Sequence, residues 1–249
     1  MSAPVDAKAG HALPMFSFIT ATWNPVTGPC PYECVYCWAR GLIKRHGFKK
    51  YTEAPVGIDE KQISRKFKPG DFVFVQDMSD ISILNYSQAA VLFDAVRLQP
   101  AVTFLFLTKN PDWYLRVMRK FEILGAPSLI IPDNVVLGAT IETNSPDASV
   151  SKAPSVWRRR DAMIQLRASY PQYRRFVCVE PVMGFVAGFE EQLAGIDPWA
   201  VAVGYDNYGH RLPEPKLEDV RRLVDGLRRR RITVYEKTMR EPAWNRGAA

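Results

Sequence analysis

The sequence predicts an α/β protein in which parallel strands and helices alternate as six or seven βα units, a partial barrel rather than a closed eight-fold one. Short apolar runs rich in β-forming residues recur along the chain, continuous rather than alternating, as strands buried on both faces require. Amphipathic stretches of helical length separate them. The 249 residues suit one large domain.

The chain begins with 1–14, which holds no continuous apolar segment; a flexible tail without a secretory signal is expected there. The domain is expected over 15–240, and 241–249 reads as a C-terminal tail. Strands are expected at Phe16–Thr22, Phe72–Gln76, Thr103–Leu107, Val135–Ile141, Phe176–Val179, Ala200–Val203 and Ile232–Tyr235. Between them, Ser87–Leu98 carries Ala90, Val91, Phe93, Ala95 and Val96 at broadly helical spacing. Pro111–Leu124 is a second helix, with Asn110 as N-cap, Pro111 in the first turn, and Trp113, Leu115, Val117, Met118 and Phe121 as its apolar side. Leu217–Arg230 places Leu217, Val220, Leu223, Val224 and Leu227 on one face.

Hydrophobic residues make up 47% of the chain, enough for a sizeable core, yet no apolar run approaches a membrane span. No membrane partner is therefore expected. The formal net charge is +7 and the isoelectric point near 9.3. Basic residues concentrate in Arg158-Arg-Arg160, Arg174-Arg175, Arg221-Arg222 and Arg228-Arg-Arg-Arg231. On helices such runs are usually solvated faces, and they also suit phosphate, so nucleic acid or a nucleotide is a candidate substrate or partner.

Three of the four cysteines fall in Cys30-Pro-Tyr-Glu-Cys34-Val-Tyr-Cys37. Three thiolates on one short loop suit a [4Fe–4S] cluster whose fourth iron has no protein ligand, and an open metal position is a place for chemistry. Zinc held by the same thiolates with His46 is an alternative, although zinc sites usually draw cysteine pairs from two loops. A redox pair of Cys34 and Cys37 leaves Cys30 without a role, and structural disulfides need an oxidising compartment. A reduced, cytoplasmic setting is expected. Cys178, within Phe176-Val-Cys-Val179, reads as a buried core residue and not a ligand.

Active sites of parallel barrels gather at the carboxyl ends of the strands. The charges directly following the expected strands are Asp77, Lys109, Glu142, Glu180 and Lys237, with Asn24, Asp80, Asn144, Asp206 and Asn207 nearby.

The Cys-x3-Cys-x2-Cys spacing, with aromatic Tyr36 before the third cysteine, resembles the radical S-adenosylmethionine (SAM) superfamily. The resemblance implies a (β/α)6-type partial TIM barrel with the cluster loop after the first strand. It implies a [4Fe–4S] cluster on Cys30, Cys34 and Cys37, SAM bound at the open iron, and hydrogen abstraction from a substrate. A low-potential reductant such as ferredoxin or flavodoxin is the implied partner. On that reading Asp77 meets the methionine end of SAM, and Glu142 the ribose with Thr140 beside it. Lys109, Glu180 and Lys237 are the expected catalytic group, the two lysines meeting a substrate phosphate or the SAM carboxylate.

A closer likeness is carried by Thr22-Trp-Asn-Pro-Val-Thr-Gly28, Phe104-Leu-Phe-Leu-Thr-Lys109, Val136-Leu-Gly-Ala-Thr-Ile-Glu-Thr-Asn144 and Val179-Glu-Pro-Val-Met-Gly184. In their order they resemble the phage-type radical-SAM-like proteins, a domain of unknown function, over about 16 to 237. Gly204-Tyr-Asp-Asn-Tyr-Gly209 and Tyr235-Glu-Lys-Thr238 fit that pattern loosely and are where substrate choice is expected. Two rivals remain: a zinc- or cluster-stabilised nucleic-acid-binding module, and an iron–sulfur electron-transfer protein.

Overall fold

The computed structural model describes residues 15–145 and 150–245. The expected tail over 1–14 lies outside the described residues. In chain order the elements begin with β1 (Ala21–Trp23), β2 (Val26–Thr27), α1 (Trp38–His46), β3 (Gly57–Ile58) and α2 (Glu60–Ile63). Then come β4 (Phe72–Val75), α3 (Tyr86–Arg97), β5 (Thr103–Thr108), α4 (Asp112–Ile123) and β6 (Val135–Thr140). The chain continues through α5 (Val156–Ser169), β7 (Arg174–Val179), α6 (Phe189–Ala194), β8 (Ala200–Val203), α7 (Leu217–Arg229) and β9 (Thr233–Glu236).

Seven strands, in the order β1-β4-β5-β6-β7-β8-β9, form one curled, wholly parallel sheet, a half-barrel with one strand more than a six-unit barrel. Its strands are apolar on both sides because both sides are covered. Val73, Val75, Phe104, Phe106, Leu137, Ala139, Val177, Val179, Val201 and Val203 pack under the helices. Phe74, Leu105, Val136, Phe176, Cys178, Ala200 and Ala202 form a second cluster on the concave side. At roughly 1.5–3 kcal/mol per fully buried large aliphatic or aromatic side chain, the two faces together make the sheet the rigid frame of the molecule.

The first expected strand is corrected. Only Ala21–Trp23 is extended, and Phe16–Ile19 turns instead, with the Ile19 N–H bonded to the Phe16 carbonyl at 3.0 Å. The reason is burial: Phe16 enters the concave side and packs edge-on against Phe74 and Phe176, at centroid distances of 6.0 and 5.1 Å. The second helix starts one residue late. Pro111 is its N-cap, and Asn110 donates its N–H to Thr108 Oγ1 instead of capping. Ala200–Val203 appears as expected, and the other expected strands and helices appear with one or both ends shifted by one or two residues.

Candidate active site

The register of the sheet sets which residues reach the mouth of the half-barrel. Phe74, Leu105 and Val136 lie side by side, as do Thr140, Cys178, Ala202 and Tyr235 higher up. Counting on by twos from these inward positions leads to Asn24, Lys109, Glu142, Glu180, Gly204 and Lys237 at the carboxyl edge.

The cysteine loop leaves this edge from a short ribbon of β2 on β3. Gln76, in the left-handed region at φ 67°, turns its amide onto that ribbon and accepts the Val26 N–H at 3.0 Å. Gly28 follows at φ 98°, where an added Cβ would come within 2.8 Å of Val56 Cα. Only glycine fits this close crossing, and it turns the chain into Pro29 and Cys30. The loop then packs Tyr32, Cys34 and Tyr36 around Leu212 from the segment between β8 and α7. Backbone bonds from Val35 to the Val150 carbonyl (2.9 Å) and from Lys152 to the Tyr32 carbonyl (2.7 Å) hold its outer side.

Cys37 is the N-cap residue of α1, and its side chain makes no capping hydrogen bond. All four cysteines are free thiols. Cys30 is exposed as a residue, yet loss of hydration around its sulfur, with added repulsion from Asp80, Cys34 and Cys37, pushes the thiol up to about 12. Burial raises Cys34 too, against the pull of Lys109. Thiols that repel one another as anions are deprotonated readily only by metal. Cys30, Cys34 and Cys37 are the donor type that an iron–sulfur cluster uses and share one loop, although their side chains do not converge on a single metal position in this structure.

His46 does not complete a zinc set. It closes α1, about 13 Å along the helix from Cys37, and stacks on Phe48 at 5.4 Å. Among the described residues no three His, Cys, Asp or Glu side chains converge on a single metal position.

Glu142, fully buried, ties this loop to the sheet. Its Oε1 accepts from Lys109 Nζ at 2.6 Å and from the Tyr36 hydroxyl, and its Oε2 accepts from Arg159 Nη1 at 2.8 Å. Lys109 also donates to the Tyr36 oxygen at 2.5 Å and lies 4.9 Å from the centre of that ring. Burial would raise the Glu142 carboxyl, but Lys109 and Arg159 outweigh it and hold the group at about 2. Folded in this way, Glu142 presents no surface to a ribose hydroxyl. Its place is that of an anchor.

A second pair lies across the mouth, where Lys237 donates to Glu180 Oε2 at 2.6 Å and Asn207 approaches Oε1 at 3.4 Å. Burial raises the Glu180 carboxyl despite Lys237. Cys178, 4% exposed, has its thiol pushed up to about 12 by burial, with Glu180 and Glu142 raising it and Lys237 and Lys109 lowering it. Asp77, at the end of β4, accepts from Asn24 Nδ2 through Oδ1 at 2.7 Å, and burial raises it. Thr140 ends β6 in register with Cys178, and its carbonyl accepts from Arg159 Nη1 at 2.8 Å. Further round, Asp206 orients His210 through a 2.8 Å contact to Nδ1.

The structure thus joins Lys109 with Glu142 and Glu180 with Lys237, while Asp77 pairs with Asn24 instead. One participant was not legible as such. Arg159 was read as one residue of a solvated basic run, yet it is 3% exposed. The signal lay in its spacing, since Val156, Arg159, Met163 and Leu166 form the buried stripe of α5. Asp80, one of the expected strand-end residues, accepts from Thr108 Oγ1 at 2.6 Å and from the Lys109 N–H at 2.9 Å, fixing the end of β5.

The family described as "Protein of unknown function (DUF5131)" matches residues 15–235 of the chain. None of the curated proteins matches it.

Proposed function

We propose that this chain, which belongs to the DUF5131 family, is a radical SAM enzyme acting on a substrate that carries an abstractable hydrogen. The observation that carries the reading is the placement of Cys30, Cys34 and Cys37, three free thiols on one loop at the carboxyl edge of a parallel half-barrel. These three residues hold the cluster. When bound, the cluster would supply the one low-potential electron that splits a carbon–sulfur bond of the SAM sulfonium into methionine and a hydrogen-abstracting 5′-deoxyadenosyl radical.

The chain's own residues bind and orient. Asp77 has one oxygen engaged by Asn24, and its second makes no hydrogen bond among the described residues, leaving it to accept the methionine ammonium group. Lys109 has spent two of its three hydrogens on Glu142 and Tyr36, and the third serves the SAM carboxylate. Thr140, in register with Cys178 at the end of β6, takes the ribose contact, while Glu142 is engaged by Lys109, Arg159 and Tyr36. Glu180, raised by burial beside Lys237, is suited to carry a proton to or from the substrate. Nucleic acid or a nucleotide as that substrate rests on charge alone, and part of the charge is already neutralised, Arg222, Arg228 and Arg230 being paired with carboxylates.

The test is anaerobic reconstitution with iron and sulfide, followed by dithionite and SAM. Reductive formation of 5′-deoxyadenosine, lost on Cys30→Ala, supports the proposal. Stoichiometric zinc, no retained iron and intact SAM would overturn it.

A further inference from the structure

We infer that the outer face of α1 is the docking surface for an acidic electron-carrier protein that delivers electrons to the cysteine loop. The inference rests on the proposed cluster, because a site that spends one electron per turnover must receive one from outside. One electron leaves the carrier and enters the site; no bond is made or broken.

α1 begins at Cys37 and runs away from it. Its buried side, Ala39 and Ile43, packs with Tyr51 and Met78. Arg40, Lys44, Arg45 and His46 are all exposed on its other sides, and the helix contains no acidic residue. Among the described residues Arg40, Lys44 and Arg45 form no salt bridge, while Arg97, Arg116 and Arg222 on α3, α4 and α7 each do.

The macrodipole accounts for part of this charge, since Lys44, Arg45 and His46 complement the carboxyl end of the helix. It does not account for Arg40, which stands in the first turn, where a cation is disfavoured. Arg40 and Lys44 are also four residues apart, a like-charge pair that weakens an isolated helix by a few tenths of a kcal/mol. Glu33 of the cysteine loop lies close enough to Arg40 to feel its charge, and a negatively charged partner relieves what remains of both penalties.

Apolar side chains flank the basic residues. Val35, in the cysteine loop itself, is 55% exposed, and Phe48, just past the helix, is 41% exposed. A small apolar contact rimmed by charge is the form of weak, fast redox encounters, in which electrostatic complementarity raises the association rate. Arg40, Lys44 and Arg45 all lie within about 12 Å of Cys37 along the helix.

The probe is reduced flavodoxin, an acidic one-electron carrier, offered to the reconstituted full chain and to the triple variant R40E/K44E/R45E. Cluster reduction is followed by absorbance, and binding is measured separately at low and high salt. The proposal predicts that the variant is reduced by flavodoxin at least about tenfold more slowly and binds it correspondingly more weakly. Reduction by dithionite, which needs no docking, should proceed as in the parent. Parent binding should weaken with salt. The control variant R221E/R229E, which reverses exposed charges on α7, should match the parent.

Equal flavodoxin reduction in parent and triple variant would overturn the inference, as would an equal loss in the α7 control. Loss of nucleic-acid binding in the triple variant, with flavodoxin reduction unchanged, would assign the face to nucleic acid and also overturn it. A chain that takes up no iron defeats the cluster reading itself, and iron analysis before any carrier is added distinguishes that outcome from failed docking.

Discussion

The Tyr36 hydroxyl donates to the buried carboxylate of Glu142, so a residue between Cys34 and Cys37 is fastened two residues past the end of the central strand. This bond crosses 106 positions of sequence and sets the height of the cysteine loop above the sheet. Lys109 and Arg159 hold the same carboxylate from two other elements, so the loop is referenced to β5, β6 and α5 at once. The candidate site is therefore built on the frame and not on its own loop.

Removing the bond from the loop side is the mildest test. Tyr36→Phe keeps the ring and the packing around Leu212 but deletes the donor to Glu142. A hydrogen bond to a charged group contributes about 1.5–3 kcal/mol, and chemical denaturation should report a loss within that range. Iron retention after desalting should fall with it. A variant as stable and as iron-loaded as the parent would show that the anchor is unimportant.

Glu142→Gln is the severe case. It leaves Lys109 and Arg159 buried without their counter-charge, and breaking a buried pair in this way costs roughly 3–5 kcal/mol. The pH dependence has a definite sign. The folded carboxyl is depressed to about 2 from an ordinary 4.5, so its contribution is complete above the ordinary value and drains away as pH falls toward 2. On the order of 3 kcal/mol is at stake. Unfolding free energies measured from pH 7 to pH 3 should fall more steeply in the parent than in the variant, and parallel curves would contradict the assignment.

The Glu180–Lys237 pair should respond asymmetrically. Lys237→Met strands a carboxylate that is only 15% exposed and already raised by burial, a loss of roughly 1–3 kcal/mol at neutral pH. Glu180→Gln leaves a lysine that is 20% exposed and able to reach water, with a smaller loss, below about 1 kcal/mol. Because its folded pKa is raised, Glu180 itself favours the folded state at acid pH, and that advantage is lost as pH rises through the folded value. Equal costs for the two substitutions would contradict this picture.

The four cysteines should divide three to one. Alanine at Cys30, Cys34 or Cys37 should abolish the cluster's visible absorbance and stoichiometric iron. Cys178→Ala removes one buried sulfur beneath the rim, costs about 1 kcal/mol and should leave the iron content unchanged. Loss of the cluster in the Cys178 variant would redraw the ligand set.

Much of this was legible in the sequence because the strands are buried on both faces. A run such as Phe104-Leu-Phe-Leu107 reports its own environment, and the polar residues that follow it fall at the mouth by register alone. Phe16–Ile19 was misread because an apolar run says that it is buried, not in what conformation. It fills the concave side instead of lengthening the edge strand. The partners of Glu142 were hidden for a different reason. Tyr36, Lys109 and Arg159 are brought together only when the cysteine loop, the end of β5 and helix α5 pack against one another, and Arg159 was masked by the charged residues on either side. The ribbon of β2 on β3 was invisible because two-residue strands carry no periodicity.

The central claim is that Cys30, Cys34 and Cys37 hold a cluster with an iron open to SAM. The most direct measurement is electron paramagnetic resonance of the anaerobically reconstituted, dithionite-reduced protein with and without SAM. The account predicts a [4Fe–4S]⁺ signal whose shape changes when SAM is added. A signal indifferent to SAM, or stoichiometric zinc with no signal at all, would contradict it.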